Sequence, residues 1–289
     1  MKTSRSEFLE LRRRRIHVRL WGPDSAPALF LLHGWMDVSA SFQFLVDALA
    51  REWRLVAPDW RGFGGSQWNE GAYWFPEYIA DLDALLDHYS PDRPARLIGH
   101  SLGGNAACLY AGIRPERVER LATLEGFGLH VSDPAEAPER YGQWLAGLRA
   151  GPAVNRYADR AALALRLQGV NPRLSAEQAA FLALHLGQET AAGDIVVAAD
   201  PSHRLPSPIL YRLDDAKACW RRVRAPVLWV AASGSFIMKS YAGVTGESDY
   251  RARIACFADI RVETLEDAGH NMHHDQPVRL AALIEDFFP

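Results

Sequence analysis

The chain has 289 residues, with 32 Lys and Arg against 35 Asp and Glu, a net charge of −3 and 48% apolar residues. That near-neutrality argues against a nucleic-acid binder, which would carry a basic face, and the apolar content excludes a disordered chain. At about 150 residues per domain, the length fits one large domain or one domain with a sizeable insertion, able to bury its core without disulfide or metal staples.

Residues 1–15 are charged and lack the apolar stretch of a secretory signal. No run reaches the 18 apolar residues of a membrane span. Cys108, Cys219 and Cys256 follow no disulfide or metal spacing, so a cytoplasmic protein with reduced thiols is expected. The run Arg12-Arg13-Arg14-Arg15 is flanked by Phe8-Leu9-Glu10-Leu11 and Ile16-His17-Val18-Arg19-Leu20. It reads as the tip of a hairpin rather than as an anion patch.

Short apolar runs follow at 28–32, 54–57, 96–98, 121–124, 227–231 and 260–265, each closed by a turn signal. Buried parallel strands have this appearance, because both faces are covered and the period-2 alternation is lost. Helical patterns at 41–52, 76–89, 102–113 and 277–288 separate them, which predicts an α/β sheet with right-handed crossovers. The alternation stops over 128–222. There, helix-like segments at 140–150, 159–168 and 175–187 are broken by Pro and Gly, with no convincing strand. This stretch reads as a helical insertion between two core strands. The glycines of Gly62-Phe63-Gly64-Gly65-Ser66 lack the Lys-Ser/Thr ending of a phosphate loop and the dinucleotide spacing, so they predict a tight turn.

The strongest chemical signal is Gly99-His100-Ser101-Leu102-Gly103, a G-x-S-x-G directly after a predicted strand and directly before a predicted helix. A nucleophile there must sit on a strained turn, with the glycines making room for crowded backbone. The helix beginning at Leu102 points free N–H groups at the same place. His33-Gly34-Trp35 closes the run at 28–32, and the N–H groups of Trp35 and Leu102 would together form an oxyanion hole, often worth about 3–4 kcal/mol per donor. Among ten histidines, His270 stands out, since it lies beside Gly269 in a loop after the last predicted strand. His273 and His274 complete an H-x-x-H-H pattern. This lacks the glutamate and helix placement of HExxH, so a base is favoured over a metal ligand. His100 lines the site.

His33-Gly34-Trp35, the loop 58–66, the elbow and Gly269-His270 occur in the order seen in the α/β-hydrolase fold superfamily, and the chain most resembles its lidded serine hydrolases, the esterase/lipase-like or serine hydrolase-like group. The resemblance implies a mostly parallel sheet of about eight strands flanked by helices. Its core would span 1–127 and 223–289, with 128–222 as a cap. It also implies the chain order nucleophile, acid, histidine. Many relatives carry an aspartate in the turn after the strand that follows the cap, but here that turn is Ala231-Ala232-Ser233-Gly234-Ser235, without a carboxylate. Glu125 ends the strand next to the nucleophile's, as in some haloalkane dehalogenases. With strands about 4.8 Å apart, it could reach the far nitrogen of His270. Glu247 and Asp249 remain alternatives, as does a site with no acid.

The resulting expectation is an acyl transfer in which Ser101 attacks, His270 is the base and Glu125 orients it. An ordinary imidazole titrates near pH 6.5, so activity should fall below about pH 6–7. A serine nucleophile argues against dehalogenase and epoxide hydrolase chemistry. Perhydrolase and C–C hydrolase activities and a non-catalytic receptor of this fold remain as rivals. Trp35, Phe127, Trp144 and Trp68, with His33 and His100, are candidate pocket residues for a small apolar ester or thioester. No cofactor, metal, nucleic acid or membrane span is expected, and a homodimer is left open.

Overall fold

The computed structural model describes residues 1–129, 131–241 and 244–289. In chain order the core elements begin β1 (Ser4–Leu11), β2 (Arg14–Trp21), β3 (Ala28–Leu32), α1 (Gln43–Ala48), β4 (Arg54–Pro58), α2 (Phe75–Tyr89), β5 (Ala95–His100), α3 (Leu102–Ile113) and β6 (Val118–Leu124). An excursion follows: α4 (Ala137–Ala150), β7 (Arg156–Tyr157), α5 (Arg160–Val170), α6 (Ala176–Leu186), β8 (Gly187–Glu189), β9 (Ile195–Val197) and α7 (Leu213–Trp220). The chain then returns through β10 (Val227–Ala232), α8 (Phe236–Ser240), α9 (Val244–Ile254), β11 (Ile260–Leu265), α10 (Met272–Asp275) and α11 (Pro277–Phe287).

Eight strands form one sheet in the order β1-β2-β4-β3-β5-β6-β10-β11. The β1–β2 and β2–β4 pairs are antiparallel and the rest are parallel. The hairpin turns on Arg12 and Arg13 alone, with φ of 48° and 62°, the left-handed pair that a two-residue primed turn needs. Arg12 is then held by Glu77 and Asp81 of α2, each at 2.9 Å.

Side chains alternate across the sheet even where every residue is buried. Leu97 and Trp229 pack with α2, α3 and α7, whereas Ile98, Leu228 and Val230 pack with α1 and α11. Burying each such side chain contributes about 1.5–3 kcal/mol. This two-sided cover explains why the strands read as unbroken apolar runs.

The excursion departs from the sequence reading at two points. It holds a three-stranded sheet in the order β7-β9-β8, in strands of only two or three residues, too short to show a period. Its last helix, α7, packs on α3 so tightly that a Cβ on Gly112 would collide with the Cys219 carbonyl.

The loop 58–66 is a turn between β4 and α2, organised by Asp59. The buried carboxylate accepts from Ser39 N–H at 2.6 Å and Gly65 N–H at 2.9 Å and meets His17 Nδ1 at 2.7 Å. Burial alone would raise its pKa, but the His17 hydrogen bond and charge outweigh it and hold the group well below the usual carboxylate range.

Candidate active site

Ser101 sits between β5 and α3 with φ 50° and ψ −112°, a strained conformation for a residue with a side chain. The turn is fixed from both sides, by Ser101 N–H donating to Leu124 O at 2.9 Å and Gly103 N–H to His33 O at 3.1 Å. A Cβ on Gly103 would strike the Leu32 carbonyl, so only glycine lets α3 start this close to β3. Gly34 serves the neighbouring loop: a Cβ there would lie 2.8 Å from His100 Nδ1 and 3.4 Å from Ser101 Cβ. The loop carrying Trp35 therefore lies against the serine. Neither Trp35 N–H nor Leu102 N–H donates to a backbone acceptor among the described residues.

His270 follows β11, and its Nδ1 lies 2.6 Å from Glu125 Oε2. Glu125 closes β6 with φ 55°, and its N–H donates to Val230 O at 3.0 Å, which turns the side chain across the strand ends. Its carboxylate, wholly buried, accepts two further hydrogen bonds: Ala232 N–H reaches Oε1 at 3.0 Å and the Ser235 hydroxyl reaches Oε2 at 2.6 Å. A buried carboxylate is costly unless it is hydrogen-bonded, and here three donors meet it. The turn without an acid of its own thus supplies two of them, and Ser235 has no motif to announce it. Phe236, next in the chain, brings its exposed ring within 4.9 Å of the His270 ring.

The His270 loop is tied to the elbow and to the excursion. His100 Nε2 lies 2.9 Å from His270 O; since a carbonyl only accepts, that nitrogen carries the proton. Gly269 N–H donates to Asp275 Oδ2, Asn171 Nδ2 to Asp275 Oδ1, both at 2.7 Å, and Gln178 Nε2 to His274 O at 3.0 Å.

The other acid candidates lie elsewhere. Asp249 pairs with Arg253 at 2.8 Å and Glu247 with Arg251, all within α9. Two pocket candidates are core residues. Phe127 is fully buried and stacks on Trp229 with centroids 4.4 Å apart. His33 is fully buried, donates from Nδ1 to Gly34 O at 2.7 Å and accepts from Trp60 N–H at 2.9 Å; burial lowers its pKa to about 4. It shapes the Gly34 loop from inside. Trp35 and Trp68 are exposed and Trp144 is half-buried in α4. No ring contact or hydrogen bond joins Trp68 or Trp144 to Ser101, Glu125 or His270 among the described residues. A cavity of about 410 Å³ opens between the β1–β2 hairpin and the excursion, lined by His17, Arg19, Asp59, Arg160 and His185 among others. Ser101, Glu125 and His270 do not line it.

Next to the elbow lies a second buried group: Asp37, Ser41, His100, His273 and His274. Asp37 accepts from Val38 N–H at 2.9 Å and from the Ser41 hydroxyl at 2.7 Å, yet burial raises its pKa to about 7. The H-x-x-H-H pattern gains helix placement here, because His273 and His274 lie in α10. His270 precedes it and faces Glu125 instead.

The sequence profile of the alpha/beta hydrolase fold family matches residues 27–277. A serine hydrolase-like protein of Danio rerio is 28% identical over 280 residues, covering 93% of this chain and 83% of its own length. A solved structure of a hypothetical protein from Pseudomonas aeruginosa superposes with a TM-score of 0.84 at 26% identity, over 100% of this chain and 98% of that one. The thioesterase domain from the curacin biosynthetic pathway has a TM-score of 0.83 at 24% identity, over 98% and 99% of the two chains. No helix among the described residues is long and apolar enough to cross a membrane. Profile, relatives and fold agree over nearly the whole length, and the chain is a hydrolase that belongs to the alpha/beta hydrolase fold family.

Proposed function

We infer that the protein is a serine hydrolase that cleaves a small, largely apolar carboxylic ester or thioester through an acyl-enzyme on Ser101. The observation that carries this reading is the 2.6 Å contact of His270 Nδ1 with a wholly buried Glu125, on a loop whose His270 carbonyl is bonded by His100, the residue before the serine of a strained elbow. Glu125 accepts at Nδ1, so the proton stays there and Nε2 keeps its lone pair for the serine hydroxyl.

In the first step His270 Nε2 takes the Ser101 proton as Oγ attacks the carbonyl carbon. The oxyanion is held by the N–H groups of Trp35 and Leu102, and the imidazolium passes its proton to the departing alcohol or thiol. In the second step His270 takes a proton from water, whose oxygen attacks the acyl carbon, and returns it to Ser101 as the acid leaves. Glu125 neutralises the imidazolium in both.

The excursion between β6 and β10, α7 excepted, is the proposed cap. The bonds from Asn171 and Gln178 to the loop that carries His270 support that placement. Phe236 and Trp35, two exposed aromatics flanking His270 and Ser101, are the favoured contacts for the apolar part of the substrate. A thioesterase domain among the fold neighbours keeps thioesters beside oxygen esters.

The test is a chain-length series of p-nitrophenyl esters and acyl thioesters, assayed with the wild type and Ser101→Ala. Turnover of short apolar acyl groups that disappears in Ser101→Ala is expected. No turnover of any member would reject the ester reading and redirect the search to C–C substrates.

A further inference from the structure

Three residues from three separate parts of the chain converge beside the elbow: Asp37 from the loop after β3, His100 from the end of β5 and His273 from α10. One ligand atom from each lies within 4.8 Å of the others. His273 Nε2 is 3.9 Å from Asp37 Oδ2, and the His100 and His273 rings are 4.6 Å apart. We propose that Asp37, His100 and His273 form a binding site for a divalent transition cation such as Zn²⁺, with water as the remaining ligand.

The ligand chemistry supports it. Two imidazoles and one carboxylate are the donor set that borderline cations such as Zn²⁺, Ni²⁺ and Cu²⁺ prefer over Mg²⁺ or Ca²⁺. His100 donates from Nε2 to His270 O, so Nδ1 carries a lone pair, and that buried nitrogen has no hydrogen-bond partner. His273 Nδ1 is likewise buried without a partner, while its Nε2 sits 3.5 Å from Ser41 Oγ, too long for a firm hydrogen bond. Buried ring nitrogens without a partner are rare in native interiors. Asp37 is a carboxylate with no Lys or Arg within 4 Å among the described residues. Its two oxygens are held by Val38 N–H and the Ser41 hydroxyl, the outer support that orients a ligating carboxylate.

Zinc ligand atoms about 2.0–2.2 Å from the ion lie some 3.4 Å apart, so the three groups need to close by about 1 Å. The 12% of the Asp37 side chain left exposed gives an ion a way in.

The site also has a consequence for the chemistry proposed above, on which this part rests. A cation on His100 places positive charge beside His270, whose ring is 4.8 Å from that of His100. It would oppose the imidazolium that forms as Ser101 loses its proton. Bound metal is therefore an inhibitor of the hydrolase, not its cofactor.

Calorimetric titration of Zn²⁺ at pH 7 into the wild type, Ser101→Ala, His273→Gln and Asp37→Asn tests the site, with circular dichroism confirming that each variant is folded. One equivalent bound by the wild type and Ser101→Ala, and at least about tenfold weaker binding in both His273→Gln and Asp37→Asn, is expected. In parallel, ester turnover by the wild type should fall as the site fills, return with EDTA, and resist Zn²⁺ in His273→Gln. Absence of binding up to about 1 mM Zn²⁺, or binding by His273→Gln or Asp37→Asn as tight as that of the wild type, would overturn the site. Because binding to Ser101→Ala is read by heat alone, the result for the metal does not depend on whether Ser101 turns over an ester.

Discussion

Glu125 and His270, 145 residues apart, meet at 2.6 Å because β6 and β11 flank the same strand, β10. The histidine's partner thus comes from the strand beside β5, which leads into Ser101. The turn after β10, where many relatives of this fold carry the acid, contributes donors instead of a charge.

Replacing Glu125 by Gln should lower kcat by about 10³–10⁴-fold, because an amide can present its N–H to Nδ1 and favour the wrong tautomer. Asp249→Asn, which loosens only the Arg253 and Lys217 pairs, should leave kcat within about twofold. Steady-state ester hydrolysis by the two variants separates the candidates, and the opposite ranking would exclude Glu125.

Ser235→Ala removes one of three donors to the buried carboxylate while leaving its charge in place. The expected loss in kcat is about tenfold, corresponding to roughly 1.4 kcal/mol for a hydrogen bond to a charged group. Ser235→Thr should restore most of it. An unchanged kcat in Ser235→Ala would show that the hydroxyl does not position Glu125.

Gly103→Ala puts a methyl group into the Leu32 carbonyl and within 2.8 Å of the His33 carbonyl. Backbone on both sides cannot yield cheaply, so a loss of about 1–3 kcal/mol or more is expected. Urea unfolding measures it as a lower midpoint with an unchanged slope. A midpoint equal to that of the wild type would mean that the elbow is not held as described.

Stability should fall with pH between about 6.5 and 4. Burial lowers the pKa of His33 and His203 to about 4 and of His274 to about 3. In this window the unfolded chain takes up protons on these groups that the folded protein refuses, so stability is full above about pH 6.5 and is lost on acidification. Asp37, raised to about 7, acts in the opposite sense, since its folded form takes up the proton first. Three histidines outweigh one carboxylate. Thermal melting at pH 7.5, 6.5, 5.5 and 4.5 should show a steepening drop in Tm, whereas a flat profile would contradict neutral burial of these rings.

What could be read from the sequence follows the length over which a physical pattern repeats. The pattern at 102–113 matches α3, a largely buried helix whose apolar signature is long, and the run at 260–265 matches β11, an edge strand of mostly exposed or half-buried residues that ends on the buried Leu265. The run at 121–124 misses the start of β6 at Val118, since Glu119 and Arg120 interrupt it at the sheet's exposed end. The strands β7, β8 and β9 are below the length at which any period can show. Ser101, Glu125 and His270 are legible because a motif, a strand end and a glycine mark them. Phe127 and His33 read as pocket residues only because exposure is a tertiary property. Ser235 and the convergence of Asp37, His100 and His273 exist only after the sheet has brought distant loops together.

The central claim, that Ser101 is an activated nucleophile, is tested most directly by treating the folded protein with a fluorophosphonate probe and mapping the adduct by peptide mass spectrometry. Stoichiometric labelling at Ser101 is predicted, slowed by orders of magnitude in His270→Ala and absent in Ser101→Ala. A folded wild-type protein that takes up no label, or takes it up on another residue, would contradict it.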